Sequence, residues 1–402
     1  MQALKNRLVL ATAATVLLAT PALAEDAKLG FLGGFTGPIE SMLPAIFSAA
    51  EMAVAQVNDQ GGILGGGTLS IVAADSTCSD ATAAANAGDR MVNTEQVTAI
   101  VGALCSGETI AAANNAAIPG NVVMISPAST SPALTTMDDN DLVFRTVPSD
   151  AYQGQVMARL LMAHGIDEIA ITYVNNDYGA GFDAALEEAF TAAGGTVAAS
   201  AAHEEGRADY RAELGTLAAT GAQTLVILAY GNGSGQTILR QAVEGGDFNT
   251  YVGGDGMVIQ ELFTGIDLSS VEGMIATRPA DPEVPGAAVY AEMAQAAGQD
   301  PTANFAAQAY DATFLLALAI EKNGSASREG VTAALREVAT APGEVVGPGE
   351  WERARELIAA GMDINYEGAT GSIEFDENGD IPGAFVEMTV MNGQFVEVGP
   401  AR

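Results

Sequence analysis

Two hydrophobic periods alternate along this chain. Short apolar runs rich in β-branched residues, at 28–34, 69–73, 98–101 and 122–125, read as strands. Between them, apolar positions recur at helical spacing, as with Ala49, Met52, Ala53 and Val57 in 42–60, which ends in a glycine pair at Gly61 and Gly62. Further helices are expected at 80–93 and 108–117. After 142–147 the alternation restarts, with helices at 150–164, 179–193, 209–220 and 236–244 and strands at 168–174, 196–201, 224–229 and 251–254. The run 271–278 leads out of this second unit into helices at 289–299, 303–322, 328–339 and 351–360. Antiparallel strands around 372–375, 385–391 and 395–398 close the chain, the first two joined by the turn 376–380. Strands separated by helices imply parallel βαβ units with right-handed crossovers. Two runs of similar size, without heptads or a short repeat, predict an α/β protein of two lobes with parallel-rich sheets.

Three turns then stand out: D-S-T-C ending at Cys78, G-A-L-C-S around Cys105 and Ser106, and S-P-A-S-T from Ser126 to Thr130. Each follows one of the first lobe's strands, and in parallel sheets ligands bind at the carboxyl ends of strands. Backbone N–H groups, small hydroxyls and a helix N-terminus there suit a carboxylate, so these turns form one wall of a small-molecule cleft.

Composition sharpens this picture. At 402 residues and 49% hydrophobic content the chain can build two cores. Its formal charge of −34 argues against nucleic acid or an anionic membrane as partner. Residues 1–24 carry Lys5 and Arg7, an apolar core from Leu8 to Leu18, and Ala22-Leu23-Ala24 before Glu25. That is the pattern of a cleaved secretory leader, too short to span a bilayer. Its removal takes the charge to −36 and places the mature chain in an oxidising compartment, the periplasm. The two cysteines, Cys78 and Cys105, follow strands expected to lie side by side, so they should be bridged. A metal site is the poorer reading, because no histidine lies near them.

Several further motifs carry a family resemblance: F-T-G-P from Phe35, V-N-D-Q-G-G-I from Val57, F-R-T from Phe144, D-Y-G from Asp177, I-L-R-Q-A from Ile238 and V-G-G-D-G from Val252. With the three turns above, and N-Y-E-G-A-T-G from Asn365 followed by F-D-E-N-G-D, they run in order over nearly the whole mature chain. The chain resembles the periplasmic leucine/isoleucine/valine-binding proteins that serve ABC importers. The resemblance implies two Rossmann-like lobes of the type I periplasmic binding fold, 25–147 plus 278–380 and 148–277 plus 381–402. Three hinge crossings fall near Val147, Arg278 and Ile381, and the lobes close over the ligand.

The same resemblance assigns site residues. Ser106 is expected to hold the ligand carboxylate, with Ala128, Ser129 and Thr130 completing the clamp through backbone and hydroxyl. Tyr178 is brought down from the second lobe, and Tyr230 lies near another family tyrosine. Asp255 falls where the family carries a glutamate for the α-ammonium, one methylene shorter. Met42 replaces an aromatic residue against the ligand side chain, and Glu40 and Ser41 beside it add polar groups.

Plainer readings exist for each. Ser106 suits a helix cap, Thr130 a turn before Pro132, Tyr178 a core aromatic, Asp255 a turn former between two glycines, and Met42 ordinary packing. Asp376, Asn378, Asp380 and Glu387 mimic calcium-loop spacing, but Ile381 stands where that loop needs glycine, so a hairpin turn is expected. Gly231 to Gly235 is glycine-rich without a following lysine, and is expected to open the next helix. Catalytic motifs are missing and only His164 and His203 offer an imidazole, so no enzyme, cofactor or metal is expected. The expected partners are a small ligand, an amino acid, and an ABC permease, the protein itself being a monomer that does not insert in a membrane. A sensory module of the same fold, or an importer protein for an amide, urea or aromatic carboxylate, is the alternative.

Overall fold

The computed structural model describes residues 24–280 and 283–401. The expected leader, apart from Ala24, lies outside the described residues. Strands β1 (Ala27–Gly33), β2 (Leu69–Asp75), β3 (Ala99–Gly102), β4 (Val123–Ser126) and β5 (Val143–Arg145) form a parallel sheet in the order β2-β1-β3-β4-β5. Every residue of β3 and β4 is buried, as expected for strands covered on both faces. Helices α1 (Leu43–Asp59), α2 (Ala81–Asp89) and α3 (Ser106–Ala112) connect them. α1 buries Ile46, Ala49, Ala50, Ala53 and Val57, one stripe at helical spacing. Asp80 caps α2 by accepting from the Thr82 and Ala83 amides.

The second lobe repeats the plan. Helices α4 (Asp150–Ala163), α5 (Asp177–Ala192), α6 (Arg211–Ala218) and α7 (Gln236–Gly245) alternate with β6 (Glu168–Val174), β7 (Thr196–His203), β8 (Thr224–Leu228) and β9 (Thr250–Gly253). β10 (Ile275–Pro279) joins β9 in parallel, and the turn 231–235 leads directly into α7 as expected.

Helices α8 (Pro285–Ala296), α9 (Ala306–Asn323), α10 (Val331–Ala339) and α11 (Trp351–Ala359) follow. α9 is buried from Gln308 through Ile320 and packs against α1, β3 and β4, so this part of the chain has returned to the first lobe. A helix buried on every side belongs inside a layer, not on its surface.

Three expectations need correction. The two cysteine-bearing strands are not neighbours: β1 lies between β2 and β3, and the bridge passes over the end of β1. The closing strands do not form one antiparallel set. β11 (Glu344–Val346), β12 (Ile364–Gly368) and β13 (Gly371–Ser372) make a separate small sheet, and only β14 (Phe385–Met391) and β15 (Gln394–Pro400) pair with each other, extending the second sheet along β10. The turn 376–380 therefore links two sheets and docks on β5, where Arg145 N–H donates to Gly379 O. β11 and β12 went unforeseen because three to five residues carry too little periodicity to register.

Candidate ligand-binding cleft

The carboxyl ends of the first sheet are built by interlocking turns. Asp75, at the end of β2, accepts from the Phe35 and Thr36 amides, the Thr36 hydroxyl and the Thr77 amide. F-T-G-P and D-S-T-C are thus two halves of one structure. Gly37 sits at φ 98° with the Thr77 carbonyl directly against it, leaving no space for a side chain. The bridge between Cys78 and Cys105, with Cα atoms 5.4 Å apart, fastens this pair of turns to the start of α3.

Ser106 opens α3 but does not cap it. Its Oγ accepts from the Ser131 amide at 3.2 Å and so reaches the 126–132 turn. Ser126 Oγ donates to the Ala103 carbonyl at 2.6 Å and receives the Ser129 amide, which fixes the other side of the turn. Arg145, buried at the end of β5, donates to the Ser131 carbonyl at 2.9 Å and locks the turn from beneath.

Seven of the eight expected ligand residues, Met42, Ser106, Ala128, Thr130, Tyr178, Tyr230 and Asp255, line one cavity between the lobes, with about 20 Å³ of free space. Ser129 does not. It is fully buried behind the turn, its hydroxyl shared with Thr109 at 2.7 Å and its amide bonded to Ser126 Oγ, so it holds the shape of the turn.

The second lobe's wall is a chain of hydrogen bonds. Tyr178 OH donates to Asp255 Oδ1 at 2.8 Å, and the Gly256 amide donates to the same oxygen at 2.8 Å. Burial, reinforced by the Asp255 and Asp150 charges, raises the Tyr178 phenol well above its ordinary pKa and keeps it a donor. Tyr230 stacks on Tyr178 with ring centroids 5.3 Å apart, and its hydroxyl accepts from Asn176 Nδ2. Asp255 is 1% exposed; its Oδ2 has no protein partner, and burial pushes its pKa up to about 6. The Thr130 hydroxyl opposite is also buried without a partner.

One residue lining the cavity and one buried acid beside it escaped the sequence reading. Asp150 is completely buried, neither carboxylate oxygen has a hydrogen bond, and Thr130 faces it without reaching bonding geometry. Burial, then the Asp255 charge, raises its pKa well above the ordinary value, more than Thr130 and the Arg145 guanidinium lower it. In the sequence it passes for an acid favouring a helix N-terminus after the Ser149 cap. Its place just past the first crossing was the available signal. Phe305, which precedes α9, lines the cavity with φ 64°, a left-handed conformation unusual for an aromatic residue. No local pattern announces it.

A pocket lined by small hydroxyls and a turn from one lobe, with one buried carboxylate oxygen of Asp255 left without a partner in the wall from the other, defines a two-lobed small-molecule binding protein. The chain belongs to the family described as receptor family ligand binding region, which matches residues 45–393. It is 30% identical over 360 residues, 89% of this chain and 88% of the relative, to the leucine-, isoleucine-, valine-, threonine-, and alanine-binding protein of Pseudomonas aeruginosa. Among solved structures, the leucine binding protein LivK of Thermotoga maritima superposes with a TM-score of 0.77 at 26% identity, covering 93% of this chain and 98% of that one. An R. palustris solute binding protein in complex with benzoate, at 17% identity, covers 94% of this chain and 96% of its own with a TM-score of 0.76, a likeness of fold.

Proposed function

We propose that the chain is the periplasmic substrate-binding component of an ABC importer, capturing an α-amino acid between its lobes and presenting it to a permease. The observation that carries this is the polarity of the cavity. Ser106, Thr130 and the backbone at Ala128 offer a carboxylate site, while Asp255 offers a buried carboxylate for an ammonium, with Asp150 buried close by. A zwitterion satisfies both ends, whereas an uncharged ligand would leave a buried carboxylate unpaired, at a cost of several kcal/mol. The relatives' names support the amino-acid class.

The lobes of this reading are 25–147 with the segment after Pro279 to Asp380, and 148–279 with 381–402. Arg278 still pairs with Val386 in the second sheet, which supports a second crossing just beyond Pro279. The other crossings lie near Val147 and Ile381. Among the described residues no helix is long and apolar enough to cross a membrane.

Neither histidine supports catalysis. His203 is held between Thr172 Oγ1 and Ser234 Oγ, and His164 pairs with Glu387 on the surface. The ligand is released unchanged. An aromatic carboxylate is the second reading, favoured by the stacked Tyr178 and Tyr230 and opposed by the two acids.

The test is a thermal-shift screen on the mature protein, unfolded and refolded to remove any carried ligand, against amino acids, amides, urea and aromatic carboxylates. A ligand at a hundred times its Kd raises stability by about 2.7 kcal/mol. An amino-acid shift abolished in Asp255→Ala supports the reading; a shift from benzoates alone overturns it.

A further inference from the structure

Met42 has two faces. One lines the cavity with Ser106 and Asp255; the other lines a second cavity of about 460 Å³, far larger than the first. This chamber extends from the start of α1 to the 300–304 segment and the outer strands of the second sheet. The two spaces are neighbours at a further point. Asn304, in the wall of the second, donates its Nδ2 to the Asp255 carbonyl at 3.0 Å, while Phe305 lines the first.

That hydrogen bond fixes the Asn304 amide so that Oδ1 is its free end, and this oxygen is buried without a partner. Ser41 Oγ, on another wall of the same chamber, is buried and unpartnered too. Buried polar atoms left unpaired are uncommon and costly: the Asn304 oxygen calls for a donor, and the Ser41 hydroxyl is free to accept or to donate. The charge of the chamber has the same sense. Glu261, Asp300 and Glu397 line it against one cation, Arg278, whose guanidinium is already bound to Glu397 and the Thr302 carbonyl.

We propose that the ligand side chain passes Met42 into this second chamber, and that the protein takes an α-amino acid with a long, unbranched side chain ending in a cationic N–H donor. The inference rests on the zwitterion reading above and adds the identity of the side chain. Met42 suits the passage: an unbranched thioether with three rotatable bonds can swing aside where a large ring would block the way. Ser41 Oγ and Asn304 Oδ1 then accept from the terminal N–H groups, and the acidic lining complements the charge.

The experiment is isothermal titration of the mature protein with arginine, lysine, citrulline and leucine, in wild type and Met42→Trp. Citrulline keeps the length of arginine without its charge. The expected result is arginine or lysine binding at least tenfold tighter than both citrulline and leucine. Met42→Trp should lose at least tenfold for the cationic ligand, whose side chain has to pass position 42. Leucine binding without arginine or lysine binding overturns this inference and leaves the zwitterion reading standing, and citrulline matching arginine overturns the cationic assignment. If no α-amino acid binds, both readings fall. The wild-type comparison decides the matter even if the variant folds poorly.

Discussion

Arg145 and Asp380, 235 residues apart, form a two-point ion pair, Nε to Oδ1 at 2.6 Å and Nη2 to Oδ2 at 2.8 Å. The same guanidinium holds the Ser129 and Ser131 carbonyls and Thr135 Oγ1. One buried side chain thus joins the 126–132 turn, which lines the cavity, to the 376–380 turn. Calcium-loop spacing at 376–380 is a coincidence of this role, since Asp380 spends both oxygens on arginine.

Arg145→Ala leaves Asp380 and two carbonyls facing a cavity. Breaking a buried pair by removing one partner costs about 3–5 kcal/mol, and Arg145→Lys recovers only part because lysine cannot form the fork. Urea unfolding of the three proteins checks this, and an alanine variant within 1 kcal/mol of wild type would show the pair to be incidental.

Asp311 plays a comparable part within the first lobe. Its carboxylate accepts from Tyr366 OH, the Ala369 and Thr370 amides and Thr370 Oγ1, all at 2.7–2.9 Å. N-Y-E-G-A-T-G is the mould around this one acid. Asp311→Ala strands those donors and is expected to cost about 3 kcal/mol or more, while Asp311→Asn should fall between the two. Equilibrium unfolding ranks the three, and any other order would show that packing, not the hydrogen bonds, sets the cost.

How much of this was legible beforehand follows from the physics of each feature. The parallel units showed because buried strands and amphipathic helices leave opposite periodicities, and the three turns at the strand ends showed because turn chemistry is local, whereas the individual residues lining the cavity came with the family resemblance. Asp150 and Phe305 were hidden because their roles arise from what other segments place around them: the carboxylate reads as a helix-start acid, and the ring as a core residue. The strand order was likewise opaque. Nothing between Leu69 and Gly102 says that β1 inserts between the two cysteine strands.

The bridge between Cys78 and Cys105 still joins residues 27 positions apart in the sequence. In the chain-entropy model that stabilises by about 3–4 kcal/mol. The double variant Cys78→Ser, Cys105→Ser should unfold at correspondingly lower urea. Because Cys105 adjoins Ser106 and lines the cavity, ligand affinity should weaken as well. Calorimetry on the variant below its unfolding transition separates the effects, and unchanged affinity would show that the clamp does not need the bridge.

Tyr178→Phe removes the hydroxyl that orients Asp255 and keeps the ring stacked on Tyr230. A hydrogen bond to a charged group contributes about 1.5–3 kcal/mol, so ligand affinity should fall roughly 10- to 150-fold with little change in fold. Near-UV circular dichroism verifies the packing and titration reads the affinity; a loss below threefold would make the tyrosine a lid and not an orienting group.

Acidity should act on the free and liganded protein in opposite directions. Burial raises Asp255 and Asp311 to about 6 and Glu108 to about 7, in each case above the ordinary carboxylate value. A carboxyl whose folded pKa lies above its unfolded one favours the fold fully at low pH, and that contribution is lost as pH rises through the folded value. The melting temperature of the ligand-free protein should therefore fall between pH 5 and pH 8. Ligand capture has the other sign. An ammonium against Asp255 favours its ionised form, so binding releases a proton near pH 6, and affinity should weaken as pH drops below it. Titration at pH 6 in two buffers of different ionisation enthalpy reads that proton directly. Equal heats in both buffers would mean that Asp255 is already ionised in the free protein or does not meet the ammonium.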